Sequence, residues 1–474
     1  MTSVRPLCRA VGRNRKGDKV AAERYADEVR GTFWAWPRLA FAAVLGVAVL
    51  SHLPALWGGF VYDDFADVVD NPSAKAATYF ARLWGMTRPL LKASYAAQDA
   101  LHGPGAPAYH LVNLALHLVT VALVLVLMRR AAGLAGYKPI RALWIGGLAA
   151  AIWAVHPAAV DTVGQVAGRS AGLSTTLVLL ALWLTTGPRA HPVGAGLAAG
   201  LAVLTRETAL VAPLLLLVWQ LCLPTGQGAR RVLPVWIGVL LAGALLMAMP
   251  RHRELVAFSL DQRAPIDALR ANVFAVTEML RLWLTPWQIG AVPSQPVAYG
   301  WLDAPTLIRL VGLGGALLAA LVLRRRWPLL ALAILWVGVA LLPTNSVIWR
   351  VNPVAMRPLY LAGIGLALVL ALGLSRLVAG RVLGSVLIAG LGVLTWQREM
   401  LYADPVAYFA DAAQKAPGQA APLVLLGLTL ANGGQVVDAR AVLEEALRID
   451  PANPEAANAL RLLQAGSVYS PSPP

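Results

Sequence analysis

The sequence predicts an all-α fold, in which a polytopic helical membrane domain is followed by a short helical tail. Hydrophobic residues make up 58% of the chain and charged residues only 14%, whereas ordinary soluble domains carry about 25% charged residues. Runs of roughly 18 or more apolar residues recur, and each is long enough to cross a bilayer as a helix. After residue 396 the pattern changes, and apolar positions follow the spacing of a repeated helix pair of about 34 residues.

The basic residues set the expected orientation. The net charge is +16, and Lys and Arg gather in short segments between the apolar runs, as the positive-inside rule describes for cytoplasmic loops. No basic stripe or binding motif indicates a nucleic-acid partner. Residues 1–37 lack the apolar core of a signal peptide and are expected to form a basic cytoplasmic tail. Cys8 and Cys222 fall on the same side, where thiols stay reduced, so we expect neither a disulfide nor a zinc site.

The apolar runs, together with the side on which each basic loop must lie, predict about 11 spans. They are expected near residues 39–57, 108–128, 142–155, 173–186, 194–204, a stretch ending near Cys222, 232–249, 306–322, one stretch on each side of the outer loop PTNSVIWRVNPVAMRP, and 382–396. Residues 250–303 are expected outside without a net crossing. Within them, residues 271–285 carry Glu278 and Arg281 and are interpreted as interfacial or re-entrant. The N-terminus is then cytoplasmic and the C-terminus lies outside.

The expected organisation has four parts. These are a cytoplasmic tail at 1–37, a transmembrane domain at 38–397 with a first outer loop at 58–107, a tetratricopeptide-like helical tail at 398–466, and a disordered end at 467–474. The residues at the repeat's spacing are Leu426, Gly427, Ala431, Gly434, Ala439, Ala446 and Pro451. Fewer repeats are present than the usual minimum of about three. The tail must therefore pack on itself, on the membrane domain or on a partner.

The stretch WGGFVYDDFADVVDNP, at residues 57–72, places Asp63 and Asp64 immediately outside the first span. A carboxylate at a membrane boundary, partly desolvated and near cations, can act as a general base towards a hydroxyl. The alternative interpretation is a solvated turn that closes at Asn71-Pro72. We assign Asp67 and Asp70 to that turn.

Polar side chains recur at the outer ends of other predicted spans. Arg88 and Lys92 follow the first outer loop, with snorkelling of both side chains at the interface as the alternative interpretation. His110, Asn113 and His117 recur at i, i+3 and i+7 on one face of the second span. Polar residues in a span mark either a functional site or hydrogen bonds between helices.

The segment HPAAVDTVGQVAGRSAG begins at His156 and carries two patterns with a period of four residues. Asp161, Gln165 and Arg169 are expected on one polar face of a helix. Arg169 could then bind phosphate oxygens or pair with Asp161 in a structural network. The second pattern is a glycine ridge that permits close helix packing: Gly164, Gly168 and Gly172.

Arginines lie at two further outer ends. Arg206 precedes Glu207 in TRET, and Arg350 and Arg357 lie in WRVNPVAMRPLYLAG. Arginine clusters suit anionic phosphate. The aspartates and arginines together predict a site at the membrane boundary that binds a lipid phosphate beside a carboxylate base.

These motifs, in this order, resemble a known family. The likeness rests on GGFVYDDFADVVDNP, RPLLKASYAAQDALHGPGAPAYHLVNLALH, AVHPAAVDTVGQVAGRSAGL, TRETALVAPLLLL, and LLPTNSV with RPLYLAGIGLAL. The chain is similar to the polytopic glycosyltransferases of the C type (GT-C). It is most similar to the transmembrane-and-tetratricopeptide-repeat O-mannosyltransferase type and its bacterial relatives. The resemblance covers nearly all of residues 38–465.

The resemblance implies inverting transfer of a sugar from a polyprenyl-phosphate-linked donor to an acceptor hydroxyl on the extracytoplasmic face of the inner (cytoplasmic) membrane. It implies that Asp63 is the catalytic base and that Asp64 supports it. The implied ligands of the donor phosphate are Arg88, Arg169, Arg206 and Arg357, and the supporting residues are His110, Asn113, His156, Asp161 and Glu207. The chain departs from the family at Ser170-Ala171 and at Met356, where an acid is often found.

The expected partners are the lipid-linked donor, a protein or glycan acceptor, membrane lipids and, through the tail, a further protein. No cofactor is expected, although the acid pair could hold a divalent cation with waters. Two other functions remain open. The chain could be a non-catalytic membrane scaffold whose tail recruits envelope partners, or a transporter or flippase, although the inverted repeats of many transporters are not evident.

Overall fold

A computed structural model describes residues 36–464, apart from residues 104, 188, 225–227, 263, 291, 293–299 and 347–351. The structure is 81% helical and has no strand in its described part, which confirms the all-α fold class. The predicted basic tail before residue 36, Cys8, Arg350 and the predicted disordered end lie outside the described residues.

The long helices follow one another through short connections. They are α1 (Trp36–His52), α2 (Pro89–His102), α3 (Ala106–Leu134), α4 (Pro139–Ala154), α5 (Arg169–Thr186), α6 (Pro192–Thr205), α7 (Ala212–Cys222), α8 (Ala229–Ala248), α9 (Pro250–Gln262), α10 (Pro265–Leu284), α11 (Ala304–Leu323), α12 (Pro328–Leu341), α13 (Arg357–Leu374), α14 (Gly380–Leu401), α15 (Pro405–Lys415), α16 (Ala420–Asn432), α17 (Val436–Ile449) and α18 (Pro454–Gln464). Short helical turns connect them at Leu53–Trp57, Phe65–Val69, Pro72–Ala74, Tyr79–Arg82, Leu83–Gly85, Pro157–Ala159, Val160–Val163, Val166–Gly168, Glu207–Val211 and Pro286–Gln288.

Proline begins many of these helices. It lacks the backbone N–H that the first helical turn leaves unpaired, and its fixed φ suits that position. The helices that begin with proline are α2, α4, α6, α9, α10, α12, α15 and α18. The sequence thus sets where a new helix starts after each turn.

The helices of residues 36–401 form a multi-pass membrane protein. Seven of the described helices are long and apolar enough to cross a membrane, at Arg38–Trp57, Ala106–Leu134, Val166–Thr186, Arg230–Ala248, Ala304–Leu323, Arg357–Leu374 and Gly380–Leu401. An eighth candidate is the pair Pro139–Ala154 and Pro157–Val163, which is bent by 58°. The other predicted spans correspond to shorter apolar helices, at Pro192–Thr205, Glu207–Cys222 and Pro328–Leu341. The number of crossings stays a prediction.

Small residues bring the membrane helices close together. A Cβ added to Gly196 on α6 would lie 2.5 Å from the carbonyl oxygen of Pro234 on α8. A Cβ added to Gly146 on α4 would lie 2.5 Å from the backbone nitrogen of Arg129 on α3. Close approach of this kind is typical of helix pairs in membranes, because lipid tails provide no hydrophobic drive between helices and packing must supply the attraction.

The tail helices α15 to α18 pack on one another and on the membrane domain. The tail's own core includes Val424, Leu443 and Ala456. A second cluster joins Tyr408 and Phe409 of α15 to residues of the membrane domain. The tail therefore packs both on itself and on the membrane domain, while its assignment as a tetratricopeptide repeat stays a prediction.

Candidate active site at one end of the helix bundle

The turn that carries the two predicted acids lies between the helical turns Leu53–Trp57 and Phe65–Val69. Asp64 is fully buried, and its Oδ2 accepts the backbone N–H of Val61 at 3.0 Å. Its Oδ1 accepts the N–H of Ala167 at 2.7 Å. Asp64 thus closes its own turn and attaches that turn to the segment before α5.

Burial changes the acidity of Asp64. Loss of water around the carboxyl raises its pKa from 3.8 to about 6, and this effect outweighs the backbone N–H donors and Arg357, which lower the pKa. The adjacent Tyr62 has φ of 48°, a left-handed conformation that costs on the order of 1–3 kcal/mol for a non-glycine residue. The turn is therefore held in an unfavourable backbone conformation by contacts outside it.

Asp63 faces the other way from Asp64 and pairs with the first residue of α13. The Nη1 of Arg357 lies 2.8 Å from Oδ2 of Asp63, and the two side chains are 19% and 38% exposed. The Nη2 of the same guanidinium donates to Oε1 of Gln165 at 2.5 Å. One arginine therefore connects the aspartate turn to the segment between α4 and α5.

A small cavity that is partly open to solvent lies beside this pair. It is formed by α5, α12, α13 and the turn after α6. Its polar lining residues are Ser174, Thr175, Arg206, Thr208, Thr344 and Arg357. Two guanidinium groups and four hydroxyl groups in one cavity form a suitable environment for a phosphate group.

The other predicted arginines differ in position. Arg206 donates from Nη1 to the hydroxyl of Ser170 at 2.8 Å, and its positive charge also lowers the pKa of Glu207. Arg88 lies 3.2 Å from Oε2 of Glu207 and forms an ion pair with it. This pairing replaces the interfacial snorkelling considered for Arg88.

Arg169 is buried away from the cavity. Its Nε donates to Oδ1 of Asn113 at 2.9 Å, and its Nη2 donates to Oε1 of Gln98 at 2.8 Å. The guanidinium also lies over the rings of Tyr95 and Tyr109, at 4.7 Å and 5.4 Å from their centroids. The structure thus places Arg169 as a connection between α5, α2 and α3 rather than on the cavity wall.

The predicted polar face of Asp161, Gln165 and Arg169 is wrong. The chain does not continue as one helix, because Gln165 has extended backbone between Val160–Val163 and Val166–Gly168. Asp161 pairs instead with Arg398 of α14 at 2.7 Å. The three side chains therefore point to three different partners.

The predicted glycine ridge does allow close packing at two positions. A Cβ on Gly164 would lie 2.0 Å from Oε2 of Glu399, and one on Gly168 would lie 2.5 Å from the carbonyl oxygen of Asp161. At Gly172 the nearest atom would be 3.5 Å away, an ordinary contact. The glycines thus shape the bend between α4 and α5.

His110 and His156, which were predicted as supporting residues, and His117 of the predicted polar face form contacts between elements. His110 Nε2 lies 3.3 Å from the carbonyl oxygen of Gly59, under the aspartate turn. His117 Nδ1 lies 2.8 Å from the hydroxyl of Tyr360 on α13. His156 stacks on Trp283 of α10 with a centroid distance of 4.3 Å. The side-chain amide of Asn113 likewise donates to the carbonyl oxygen of Gln165, at 3.0 Å. The interpretation as interhelical hydrogen bonds fits these residues.

Lys92 and Asp67 differ from their predicted roles. Lys92 is 3% exposed, and its Nζ lies 3.0 Å from Oδ1 of Asp67. Lys92 therefore does not snorkel at the interface, and Asp67 is more than a member of a solvated turn. Burial lowers the pKa of the Lys92 ammonium, and the neighbouring Asp67 opposes that change.

A divalent cation between the two acids does not fit this geometry. Both oxygens of Asp64 accept backbone N–H groups, and Asp63 is paired with Arg357. Across the described residues, no group of three or more His, Cys, Asp or Glu side chains is arranged to hold a metal ion. We therefore derive no step through a metal.

Sequence reasoning missed a buried polar network behind the aspartate turn. His52 Nδ1 lies 2.5 Å from Oε1 of Glu399, and both side chains are fully buried. The hydroxyl of Tyr402 donates to Asp161 Oδ1 at 3.0 Å, beside Arg398. His52 and Glu399 each lie near the end of an apolar run. Polar residues at such positions usually face the protein interior, and this was the signal that could have found them.

Comparison with known proteins gives one group of relatives. No protein-family model matches the chain, and no solved structure matches it. A protein O-mannosyl-transferase of Caenorhabditis elegans is 23% identical over 439 residues, which cover 86% of this chain and 62% of that protein. Protein O-mannosyl-transferase Tmtc1 of Drosophila melanogaster is 33% identical over 156 residues, covering 30% of this chain and 17% of that protein. Protein O-mannosyl-transferase TMTC1 of Mus musculus is 30% identical over 183 residues, covering 35% and 18%.

The chain is similar to the TMTC-type protein O-mannosyltransferases.

This similarity confirms the resemblance that the motifs indicate. The matched region spans less than two thirds of the length of each of these TMTC-type relatives. The activity named for the relatives is theirs, and its transfer to this chain is a proposal.

Proposed function

We propose that this protein is an integral membrane glycosyltransferase, which moves a sugar from a polyprenyl-phosphate-linked donor to an acceptor hydroxyl on the extracytoplasmic face. The observation that carries the proposal is the position of Arg357. This arginine touches the carboxylate of Asp63 and lines the cavity that Arg206 also lines. The proposed base and the cavity proposed to bind the phosphate are therefore adjacent. The names of the relatives support sugar transfer, with mannose as the first sugar to test.

The proposed reaction is a displacement at the anomeric carbon. The acceptor oxygen forms a bond to that carbon while its proton passes to Asp63. The bond between the anomeric carbon and the phosphate oxygen breaks, and its electron pair stays on the phosphate. Arg357 and Arg206 then stabilise the negative charge that grows there, since fixed cations in a partly water-free site act most strongly on developing charge.

The remaining arginines take different parts in this proposal. Arg88 forms an ion pair with Glu207, which follows Arg206 in the chain. In this proposal Arg88 adds positive charge near the phosphate without binding it. Arg169 fixes the start of α5 through Asn113 and Gln98. The departure from the family at Ser170 fits this scheme. There the hydroxyl of Ser170 accepts from Arg206 at 2.8 Å and so orients the guanidinium at the wall of the proposed phosphate site.

The orientation is part of the proposal. The Asp63–Arg357 pair and the cavity share one end of the bundle. The basic segments near Arg141 and Ser375 meet at the other end, where Nη2 of Arg141 donates to the carbonyl oxygen of Ser375 at 3.4 Å. Basic segments favour the cytoplasmic side. That preference supports an extracytoplasmic site and an extracytoplasmic tail.

The test is glycan analysis in a strain from which the gene is deleted. The strain receives the wild-type chain, Asp63→Asn or Asp70→Asn, and the glycans of envelope proteins and lipids are compared by mass spectrometry at matched protein amounts. Asp70 is an exposed acid of the same loop and serves as the control. We expect a glycan that is present in strains carrying the wild-type chain or Asp70→Asn and absent from the strain carrying Asp63→Asn. Unchanged glycans with Asp63→Asn would contradict a catalytic role and favour the scaffold, for which the tail should be essential.

A further inference from the structure

The base of the tail, which comprises residues 398–409 at the end of α14 and the start of α15, touches the turn that carries Asp63. The ring of Tyr62 meets the ring of Phe409 on α15 edge to face, with centroids 6.3 Å apart and planes at 71°. Val61, the residue before Tyr62, is buried in one cluster with Tyr402, Tyr408 and Phe409. The two residues that precede Asp63 are thus both in contact with the tail or its base.

This contact falls where the turn needs outside support. Tyr62 has a left-handed backbone, with φ of 48°, which a tyrosine in a free loop would avoid. The N–H of Asp64 bonds to the carbonyl oxygen of Val61 at 2.9 Å, and the N–H of Phe65 bonds to that of Tyr62 at 3.3 Å. Asp63 lies inside these two hydrogen bonds, so its direction depends on the conformation of Tyr62.

The tail base also reaches the other partner of the pair. The hydroxyl of Tyr402 and the guanidinium of Arg398 both bond to Oδ1 of Asp161. Asp161 belongs to the same bent segment as Gln165, which accepts from Arg357. The tail base therefore supports Asp63 on one side and the partner of Arg357 on the other.

We propose that Tyr62 and Phe409 are positioning residues, through which the tail holds the turn of Asp63 in the conformation that places its carboxylate against Arg357. The expected effect on kcat rests on the proposed function of Asp63. The expected effect on the conformation of the turn does not. It assigns the tail a task at the active site that is separate from recruiting a partner.

The structural test needs no substrate. Hydrogen–deuterium exchange is measured on the full-length protein in detergent for wild type, Phe409→Ala, Phe409→Tyr and Val437→Ala. Val437 lies on α17 and is 82% exposed, so Val437→Ala is the control for changes in the tail. We expect exchange over residues 61–70 to rise about tenfold in Phe409→Ala and to stay at the wild-type rate in Phe409→Tyr and Val437→Ala. Unchanged exchange in Phe409→Ala would overturn the proposal.

A loop-side variant separates positioning from general loss of structure. Tyr62→Ala removes the other ring and leaves the tail intact. If both rings act through one contact, Tyr62→Ala, Phe409→Ala and the double variant should show the same increase in exchange, because neighbours that act together are not additive. Additive increases would contradict a shared contact.

The kinetic test uses synthetic mannosyl-phosphoryl-polyprenol as the donor probe, with envelope proteins of the deletion strain as acceptors. We expect Phe409→Ala to lower kcat about tenfold while the KM for the donor stays within twofold, since the cavity residues are untouched. A raised KM with unchanged kcat would overturn the positioning role. If the wild-type protein transfers no mannose while the exchange result holds, the proposal of mannose transfer fails and the structural contact stands.

Discussion

The guanidinium of Arg357 bridges Asp63 and Gln165, with its Nη1 2.8 Å from one and its Nη2 2.5 Å from the other. The same arginine lines the cavity beside α5 and α12. One side chain therefore fixes the direction of the proposed base and contributes charge to the proposed phosphate site. Changes at Arg357 should therefore affect both the deprotonation of the acceptor by Asp63 and the stabilisation of the leaving phosphate.

Lysine should not replace arginine at this position. Arg357→Lys keeps the charge, but a single ammonium lacks the planar fork that reaches two acceptors in fixed directions. We expect kcat for sugar transfer to fall by about 10²–10³-fold, the usual loss when one charge-stabilising donor is removed. Initial rates in membranes check this. The control is Arg376→Lys, at an exposed arginine near the opposite end of α13, and near-normal transfer by Arg357→Lys would disprove the bridging role.

Substitution by glutamine should have different effects at Arg169 and at Arg206. Arg169→Gln should lower the thermal unfolding midpoint, because each buried acceptor left without its donor costs about 1–3 kcal/mol. Arg206→Gln should weaken binding of polyprenyl phosphate about tenfold, because Arg206 lines the proposed phosphate site. Tryptophan fluorescence and native mass spectrometry measure the two effects. Loss of lipid-phosphate binding in a stably folded Arg169→Gln would restore Arg169 as a phosphate ligand.

The pKa of Asp64 predicts a pH dependence of stability. Burial raises the pKa to about 6 in the folded protein, from 3.8, so the folded state binds more protons than the unfolded state between these values. The unfolding free energy should therefore fall as pH rises from about 4 to 6, by up to about 3 kcal/mol, and stay level above that window for this group. Thermal midpoints of wild type and Asp64→Asn from pH 4 to 8 measure the difference. Parallel pH profiles of the two proteins would contradict it.

Two glycines offer a matched test of close packing. Gly164→Ala should destabilise the protein by about 1–3 kcal/mol, because the new Cβ would lie 2.0 Å from Oε2 of Glu399. Gly147→Ala adds the same methyl group on α4 where no atom lies within 4 Å, and it should leave the midpoint nearly unchanged. Midpoints in one detergent decide this. Equal midpoints for the two variants would show that the bend between α4 and α5 can absorb a methyl group.

The orientation has a direct measurement. A reporter that is active only outside the cytoplasm should be active when fused after Asp404, beyond α14, and inactive when fused after Arg376, between α13 and α14. The basic segments at the end away from the site favour this arrangement. The reverse pattern would place the aspartate turn in the cytoplasm and exclude an extracytoplasmic reaction.

The helices could be predicted from the sequence because their signal is local. The apolar runs predicted near residues 39–57 and 108–128 overlap α1 and α3, with ends that differ by two to six residues. The aspartates and Arg357 could be singled out as well, since charged residues at the ends of apolar runs are few. Their pairing could not be derived, because it depends on how α13 packs beside the first loop.

The failures have a common physical cause. The helical face predicted for Asp161, Gln165 and Arg169 assumed one continuous helix, whereas extended backbone at Gln165 redirects the side chains. The snorkelling predicted for Lys92 assumed a lipid boundary, whereas Asp67 gives its ammonium a buried partner. In both cases a tertiary contact overrode the periodicity that the sequence displays.

The contact between His52 and Glu399 joins residues 347 positions apart in the chain. During synthesis, α1 enters the membrane long before α14 leaves the ribosome, and its buried histidine then lacks this carboxylate. His52 Nε2 already has the carbonyl oxygen of Ala154 on α4 as a partner at 3.0 Å, but its other ring nitrogen stays without the carboxylate, which is costly in the bilayer, until α14 is inserted. Arrival of Glu399 ends that period. Chains interrupted before α14 should consequently remain recognisable to membrane quality control, because this buried pair is still incomplete in them.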